Sequence, residues 1–152
     1  MKQKTQVHAE AGKQELLITR VFDLPVELLF KAYTEPEIVE QWMGTKVLRL
    51  ECKEHGSYQF VTTDPMGNKH GFNGAIHEFQ PNRKITRTFE MENSPLPVQL
   101  EFLEFEALTP DTSRLTMHIV FKSVVHRDQL LQLPFAQGIN MAHNRLQEIF
   151  KK

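Results

Sequence analysis

Residues 18–37 read ITRVFDLPVELLFKAYTEPE, and the hydrophobic period changes twice around this stretch. From 15 to 22 the chain alternates. Leu16, Ile18 and Phe22 fall on one side, Leu17 and Val21 on the other, and Arg20 interrupts the first set. That pattern predicts a strand with both faces partly covered. Asp23 then offers an N-cap, and Pro25 a first-turn residue whose missing N–H does no harm. Val26, Leu29, Phe30 and Tyr33 recur at helical spacing. A second helix start follows at once, with Thr34 and Glu37 as a capping-box pair around Pro36. Ile38, Val39, Trp42 and Met43 form its apolar stripe, and Gly44 is placed to end it.

Beyond Gly44 the punctuation becomes regular. Turn-rich groups at 55–56, 64–68, 80–82, 93–97 and 109–113 separate six strand-like runs. Leu115, Met117, Ile119 and Phe121 share one face of the last run. Val98, Leu100 and Phe102 alternate with Gln99 and Glu101. Tyr58 and Phe60 flank Gln59, and Ile85, Phe89 and Met91 share a face with Arg87 intruding. Short strands joined by tight turns predict an antiparallel meander with one polar face. The period returns to helical at the end, where Leu131, Phe135, Gly138, Ala142, Leu146 and Ile149 line one stripe. Pro134 should separate the first turns of a helix over 127–150 from its main body. Late cations at Arg145, Lys151 and Lys152 suit a helix C-terminus.

The expected order is strand, two short helices, six strands, long helix: an α+β fold in which a curved antiparallel sheet of six to seven strands packs against the long C-terminal helix. Gly138 and Ala142 would let the helix approach the sheet closely at one end, while Phe135, Ile139 and Met141 hold it off elsewhere. That geometry can leave an internal pocket. Residues 1–14 carry little periodic hydrophobicity and are expected to be a mobile tail, leaving 15–152 as the folded domain.

Composition narrows the function classes. The chain has 152 residues, a formal net charge of −1 and a single cysteine, Cys52. The charge predicts no nucleic-acid footprint, and one thiol rules out an internal disulfide scaffold. The polar N-terminus lacks a signal-peptide core, and no run approaches the roughly 18 apolar residues of a membrane span. A cytoplasmic location and a monomer or weak dimer are expected. His55, His70 and His77 could approach one another on neighbouring strands, but no zinc-ligand spacing accompanies them, so no metal and no cofactor are expected. There is no nucleophile elbow, and Glu101, Glu104 and Glu106 read as a charged outer face. No catalytic residue is assigned.

Several stretches carry a resemblance to a known family. They are the run from Ile18 to Glu37, QWMG at 41–44, GSYQF at 56–60, DPMGN at 64–68 and FNGAIHEFQPNRKI at 72–85. Over residues from about 15 to 150 the chain resembles the START-like, helix-grip superfamily often labelled SRPBCC. Within it, the chain is similar to small bacterial proteins related to the activator of the heat-shock protein 90 ATPase. The resemblance implies a START-like helix-grip domain over 15–152, with Trp42 and Gly56 as landmarks of the fold. It also implies binding of a lipid, polyketide or flavonoid-like aromatic in an internal pocket. The alternatives are a chaperone-associated interaction module and a cyclase or hydrolase acting in the pocket. No separate N-terminal domain is expected, which counts against stimulation of a chaperone ATPase.

The candidate ligand-binding residues are Trp42, Tyr58, Phe60, Phe72, Arg87, Phe89, Phe102, Met117, Phe135 and Ile139. Each has a plainer alternative. Trp42 can be a lid over a flat ligand or a core anchor with its N–H bonded. The aromatic set can line a cavity or simply fill a core. Arg20 and Arg87 can face a ligand oxygen, sit at a register break, or form internal salt bridges, since an unpaired buried charge is costly.

Overall fold

The computed structural model of the chain describes residues 4–150. Its elements in chain order are β1 (Gln6–His8), β2 (Glu15–Phe22), α1 (Val26–Thr34), α2 (Pro36–Met43), β3 (Lys46–Leu50), β4 (Ser57–Thr63), β5 (Lys69–Gln80), β6 (Lys84–Met91), β7 (Gln99–Thr109), β8 (Thr112–Val120), α3 (Val124–Gln132) and α4 (Phe135–Ile149). The strands form one open antiparallel sheet in the order β1-β2-β8-β7-β6-β5-β4-β3. Among the described residues the fold is therefore α+β with eight strands and four helices, one strand more than the sequence pattern suggested.

The added strand is β1. Gln6, Val7 and His8 pair with Thr19, Ile18 and Leu17 of β2. Nearby, the Thr5 backbone N–H donates to Asn140 Oδ1 at 2.9 Å. The expectation of a mobile tail over 1–14 is corrected for these residues. A three-residue edge strand carries too few side chains to display a period, and its stabilisation comes from backbone pairing.

The core lies between one face of the sheet and the helices. On β2, Leu16, Ile18, Arg20 and Phe22 all point inward and are buried. On β8 the inward set is Ser113, Leu115, Met117 and Ile119. On β7 the face is the opposite of the one expected. Glu101, Leu103 and Phe105 are buried, whereas Leu100 and Phe102 are only half-buried and Val98 is exposed. Apolar side chains occupy both parities of β7, and the tightly packed pair Leu103 and Phe105 sets its orientation.

The helix caps also differ from expectation. Pro25 and Glu35 occupy the N-cap positions of α1 and α2, and neither helix has a side-chain cap bond. Instead of capping α1, Asp23 is clamped through its backbone: its N–H donates to Gln147 Oε1 at 2.8 Å and its carbonyl accepts from Gln147 Nε2 at 3.3 Å. Ser113 Oγ donates to the Leu24 carbonyl at 2.8 Å, so the β2–α1 junction is held from the sheet and from α4 together. Gly44 ends α2 in the left-handed region at φ 63°, which glycine adopts without a Cβ penalty.

Pro134 divides the C-terminal segment, as its ring requires. Helix α3 starts three residues earlier than expected because Ser123 caps it, accepting from the His126 N–H at 3.2 Å. Arg127, which is buried, donates from Nη1 to the Glu10 and Glu15 carbonyls and ties α3 to the N-terminal strands. Arg145 donates from Nε to the Trp42 carbonyl at 3.0 Å, so this cation serves the end of α2. Lys151 and Lys152 lie outside the described residues.

Candidate functional site

Helix α4 comes nearest to α2, α3 and β1. Its second half closes onto the core through His143, Leu146 and Gln147. Its first half stands away from the middle of the sheet, and a cavity of about 410 Å³ lies there. Phe72 of β5 and Phe89 of β6 stack at 5.5 Å and form one wall. Met117 and Ile119 of β8 contribute the floor, with Phe135 and Ile139 of α4 opposite and Trp42 and Met43 of α2 at one side. Gly138 also borders the space, and a Cβ added there would meet nothing within 4 Å. The small residue therefore does not bring helix and sheet together, contrary to expectation; it leaves room.

The polar groups gather at one end. Arg87 of β6 and Glu101 of β7 face each other across the register pair that joins their strands. Arg87 Nε donates to Glu101 Oε1 at 3.0 Å, and their side chains are 11% and 6% exposed. Gln99 Nε2 donates to the other carboxylate oxygen at 2.9 Å. The guanidinium lies over the Tyr58 ring at 5.2 Å and near the Tyr33 ring at 5.9 Å. Burial works against the Arg87 cation, but the tyrosines and Glu101 more than offset it, and the group is more basic than a free arginine. Burial also pushes the Tyr33 and Tyr58 phenols well above their ordinary range.

His143 of α4 completes this end. It is 1% exposed. Its Nδ1 shares a hydrogen bond of 2.7 Å with Thr5 Oγ1, and its Nε2 one of 3.3 Å with the Tyr33 hydroxyl. Burial, aided by the nearby Arg20 cation, lowers its pKa to about 3, so the imidazole is neutral. Arg20 itself is buried and does not border the cavity; Nη1 donates to Asn144 Oδ1 at 2.9 Å and more weakly to Asn140 and Thr5.

The structure brings Trp42, Phe72, Arg87, Phe89, Met117, Phe135 and Ile139 together around the cavity. Trp42 is a core anchor, its indole N–H donating to the Ala32 carbonyl at 2.6 Å, and its ring also borders the cavity. Arg87 likewise forms the internal salt bridge and faces the open space. Tyr58, Phe60 and Phe102 are corrected, for none of them lines the cavity. Tyr58 is core beneath Arg87, its hydroxyl donating to the Thr88 carbonyl at 2.6 Å. A Cβ on Gly74 would collide with that carbonyl and with the Tyr58 ring, so glycine is required where the ring crosses β5. Phe60 packs on Tyr58 at 5.2 Å. Phe102 lies on the far face of β7 and stacks on His118 at 5.7 Å.

Sequence reasoning missed Glu101, Gln99, Tyr33 and His143. The one available signal for Glu101 was its shared parity with Leu103 and Phe105. Outside this site, burial pushes the Cys52 thiol up to about 11, which leaves it protonated. The His55 and His77 rings approach to 6.3 Å, while His70 pairs with Asp64 at 2.9 Å. Among the described residues no three side chains converge as metal ligands, and no helix is long and apolar enough to cross a membrane.

An antiparallel sheet gripped by a C-terminal helix, with an apolar cavity between them, defines a helix-grip protein. The family model described as "Activator of Hsp90 ATPase homolog 1-like protein" matches residues 23–151, and the chain belongs to that family. The structure is similar to that of protein Ms6760 from Mycobacterium smegmatis, with a TM-score of 0.87 and 21% identity over 97% of each chain. It also resembles a protein from Rhodobacter sphaeroides, with a TM-score of 0.85 and 20% identity over 96% of this chain and 97% of that one. A protein from Arthrobacter aurescens gives a TM-score of 0.85 at 16% identity, over 95% and 90% of the two chains. At these identities the likeness is one of fold. No match was found among curated proteins.

Proposed function

We propose that this protein binds a small, largely apolar molecule in the cavity between α4 and the sheet. The observation that carries the reading is the cavity itself. Its volume of about 410 Å³ exceeds the roughly 300 Å³ at which pockets enclose small ligands. Aromatic and aliphatic walls with a few polar groups at one end are the usual composition of such sites. The binding of apolar ligands that is common in the wider superfamily supports the same reading. A lipid, a polyketide or a flavonoid-like aromatic fits this description.

Binding is favoured over catalysis by the state of the ionisable groups. General acid–base chemistry needs a group free to take or give a proton. Both Glu101 carboxylate oxygens are engaged, by Arg87 and by Gln99. Both His143 ring nitrogens are engaged, by Thr5 and by Tyr33.

Trp42 is the chain's one tryptophan, so its fluorescence reports on the cavity wall. Titration with fatty acids and aromatic compounds is expected to change that emission and to shift the amide resonances of Phe89 and Phe135. In Gly138→Leu the new side chain enters the open space and is expected to abolish binding, with the far-ultraviolet circular dichroism unchanged. A full library that leaves Trp42, Phe89 and Phe135 unperturbed in the parent protein would refute the reading.

A further inference from the structure

Arginine carries five N–H donors. In Arg87 the Nε–H is spent on Glu101. Among the described residues no acceptor meets its terminal nitrogens, Nη1 and Nη2. These atoms are not sealed in protein either, because among the described residues the one fully covered side-chain nitrogen or oxygen without a hydrogen-bond partner is Arg20 Nε. They therefore border open space, and the space that Arg87 borders is the cavity. The Tyr58 and Tyr33 rings beside the guanidinium and the Glu101 bond at its Nε fix its plane. The site holds unspent donors in a set orientation.

The charge count then decides what kind of acceptor fits. The ionisable side chains around the cavity are Arg87, Glu101, Tyr33 and His143. Arg87 and Glu101 cancel, and the other two are uncharged, so the lining is neutral; the Arg20 cation behind His143 is spent on Asn144, Asn140 and Thr5 and does not border the cavity. An ionised ligand would set a second carboxylate beside Glu101 on one guanidinium. Like charges sharing a buried site repel strongly, and neither the tyrosine nor the neutral imidazole supplies compensation. An uncharged oxygen takes the same N–H donors without that cost.

We infer that the ligand is an uncharged molecule whose carbonyl oxygen, as in a ketone, ester or amide, accepts hydrogen bonds from the terminal nitrogens of Arg87 while its apolar body lies along Phe72, Phe89 and Phe135. This rests on the cavity-binding reading above and sharpens it, because it sets free fatty acids apart from their neutral counterparts.

Three nearly isosteric probes separate the two levels: 2-acetylnaphthalene, 2-ethylnaphthalene and 2-naphthoate, titrated at pH 8 and followed by Trp42 emission and amide shifts. The ketone is expected to bind about tenfold or more tightly than the ethyl compound, the range for a hydrogen bond to a charged group. The carboxylate is expected to bind more weakly than the ketone, and the ketone alone to shift the Arg87 guanidinium proton resonances. In Arg87→Met/Glu101→Gln, which keeps the site neutral, ketone and ethyl affinities should converge. If this variant does not fold, the guanidinium resonances of the parent protein still decide. Equal affinities of ketone and ethyl compound in the parent would overturn the anchor and leave the apolar cavity standing. Tightest binding by naphthoate would overturn the charge argument. No binding by any of the three would overturn the inference, and the cavity reading itself would fall if the wider library were silent too.

Discussion

Replacing Glu101 with alanine is expected to lower the unfolding free energy by about 3 kcal/mol, at the low end of the range for breaking a buried ion pair. The cost does not measure the attraction between the partners. It arises because Arg87 stays behind, 11% exposed and without a counter-ion. Desolvation of the remaining guanidinium dominates, and an effective penalty of several kcal/mol per buried ion is typical. The low end applies here because Arg87 borders the cavity, where water can enter and solvate the orphaned cation. The same reasoning makes the double variant Arg87→Met/Glu101→Leu far milder, since removing both partners leaves no charge to desolvate. Urea unfolding reads the difference as a shift in midpoint at constant slope. A loss below about 1 kcal/mol in Glu101→Ala would show that the pair is solvated like a surface salt bridge.

How far this site could be read in advance depended on which physical signal each residue carries. Phe72, Phe89, Met117, Phe135 and Ile139 follow the periodicity of their strands and helix, and periodicity reports which face is buried. It does not report whether the buried face meets another side chain or an empty volume. That depends on how far α4 stands from the sheet, which the pattern of a single element does not encode. Glu101 was misread because charge outweighed parity: with Glu104 and Glu106 nearby it looked like part of a solvated face, although Leu103 and Phe105 share its side of β7. Phe102 was the mirror error, an aromatic on the outer face covered by His118. His143 interrupts an apolar stripe, and only its partners Thr5 and Tyr33, 138 and 110 residues away in sequence, make a buried imidazole tolerable. Long-range pairing of this kind leaves no local pattern. The boundaries at Pro36, Gly44 and Pro134, by contrast, were legible, because proline and glycine act on their own backbone, whereas the start of α3 at its Ser123 cap was not.

His143 is expected to make the fold acid-sensitive above the range in which carboxylates titrate. Its folded pKa is depressed to about 3 from an ordinary value of 6.5. Well above pH 6.5, by about pH 7.5, neither state binds the proton, and the residue contributes no pH dependence. Between the two values the unfolded chain binds a proton that the folded chain refuses, so stability falls as the pH drops, at up to about 1.4 kcal/mol per unit. Below about pH 3 both states are protonated and the contribution levels off. From pH 7.5 to 5 the loss should therefore reach about 2 kcal/mol. The refusal has two causes. The ring is almost fully buried, packed edge-on against Phe22 at 5.4 Å, and the Arg20 cation stands close by. Glutamine can keep one donor and one acceptor near Thr5 and Tyr33 without titrating. Urea unfolding of the parent protein and of His143→Gln, both measured from pH 7.5 to 5, isolates the effect from the six other histidines. The parent curve should fall and the difference between the two proteins should narrow with acidity. Parallel curves would mean that His143 takes up a proton in the folded state at its ordinary pKa, and the cavity could then no longer be treated as electrically neutral near pH 6.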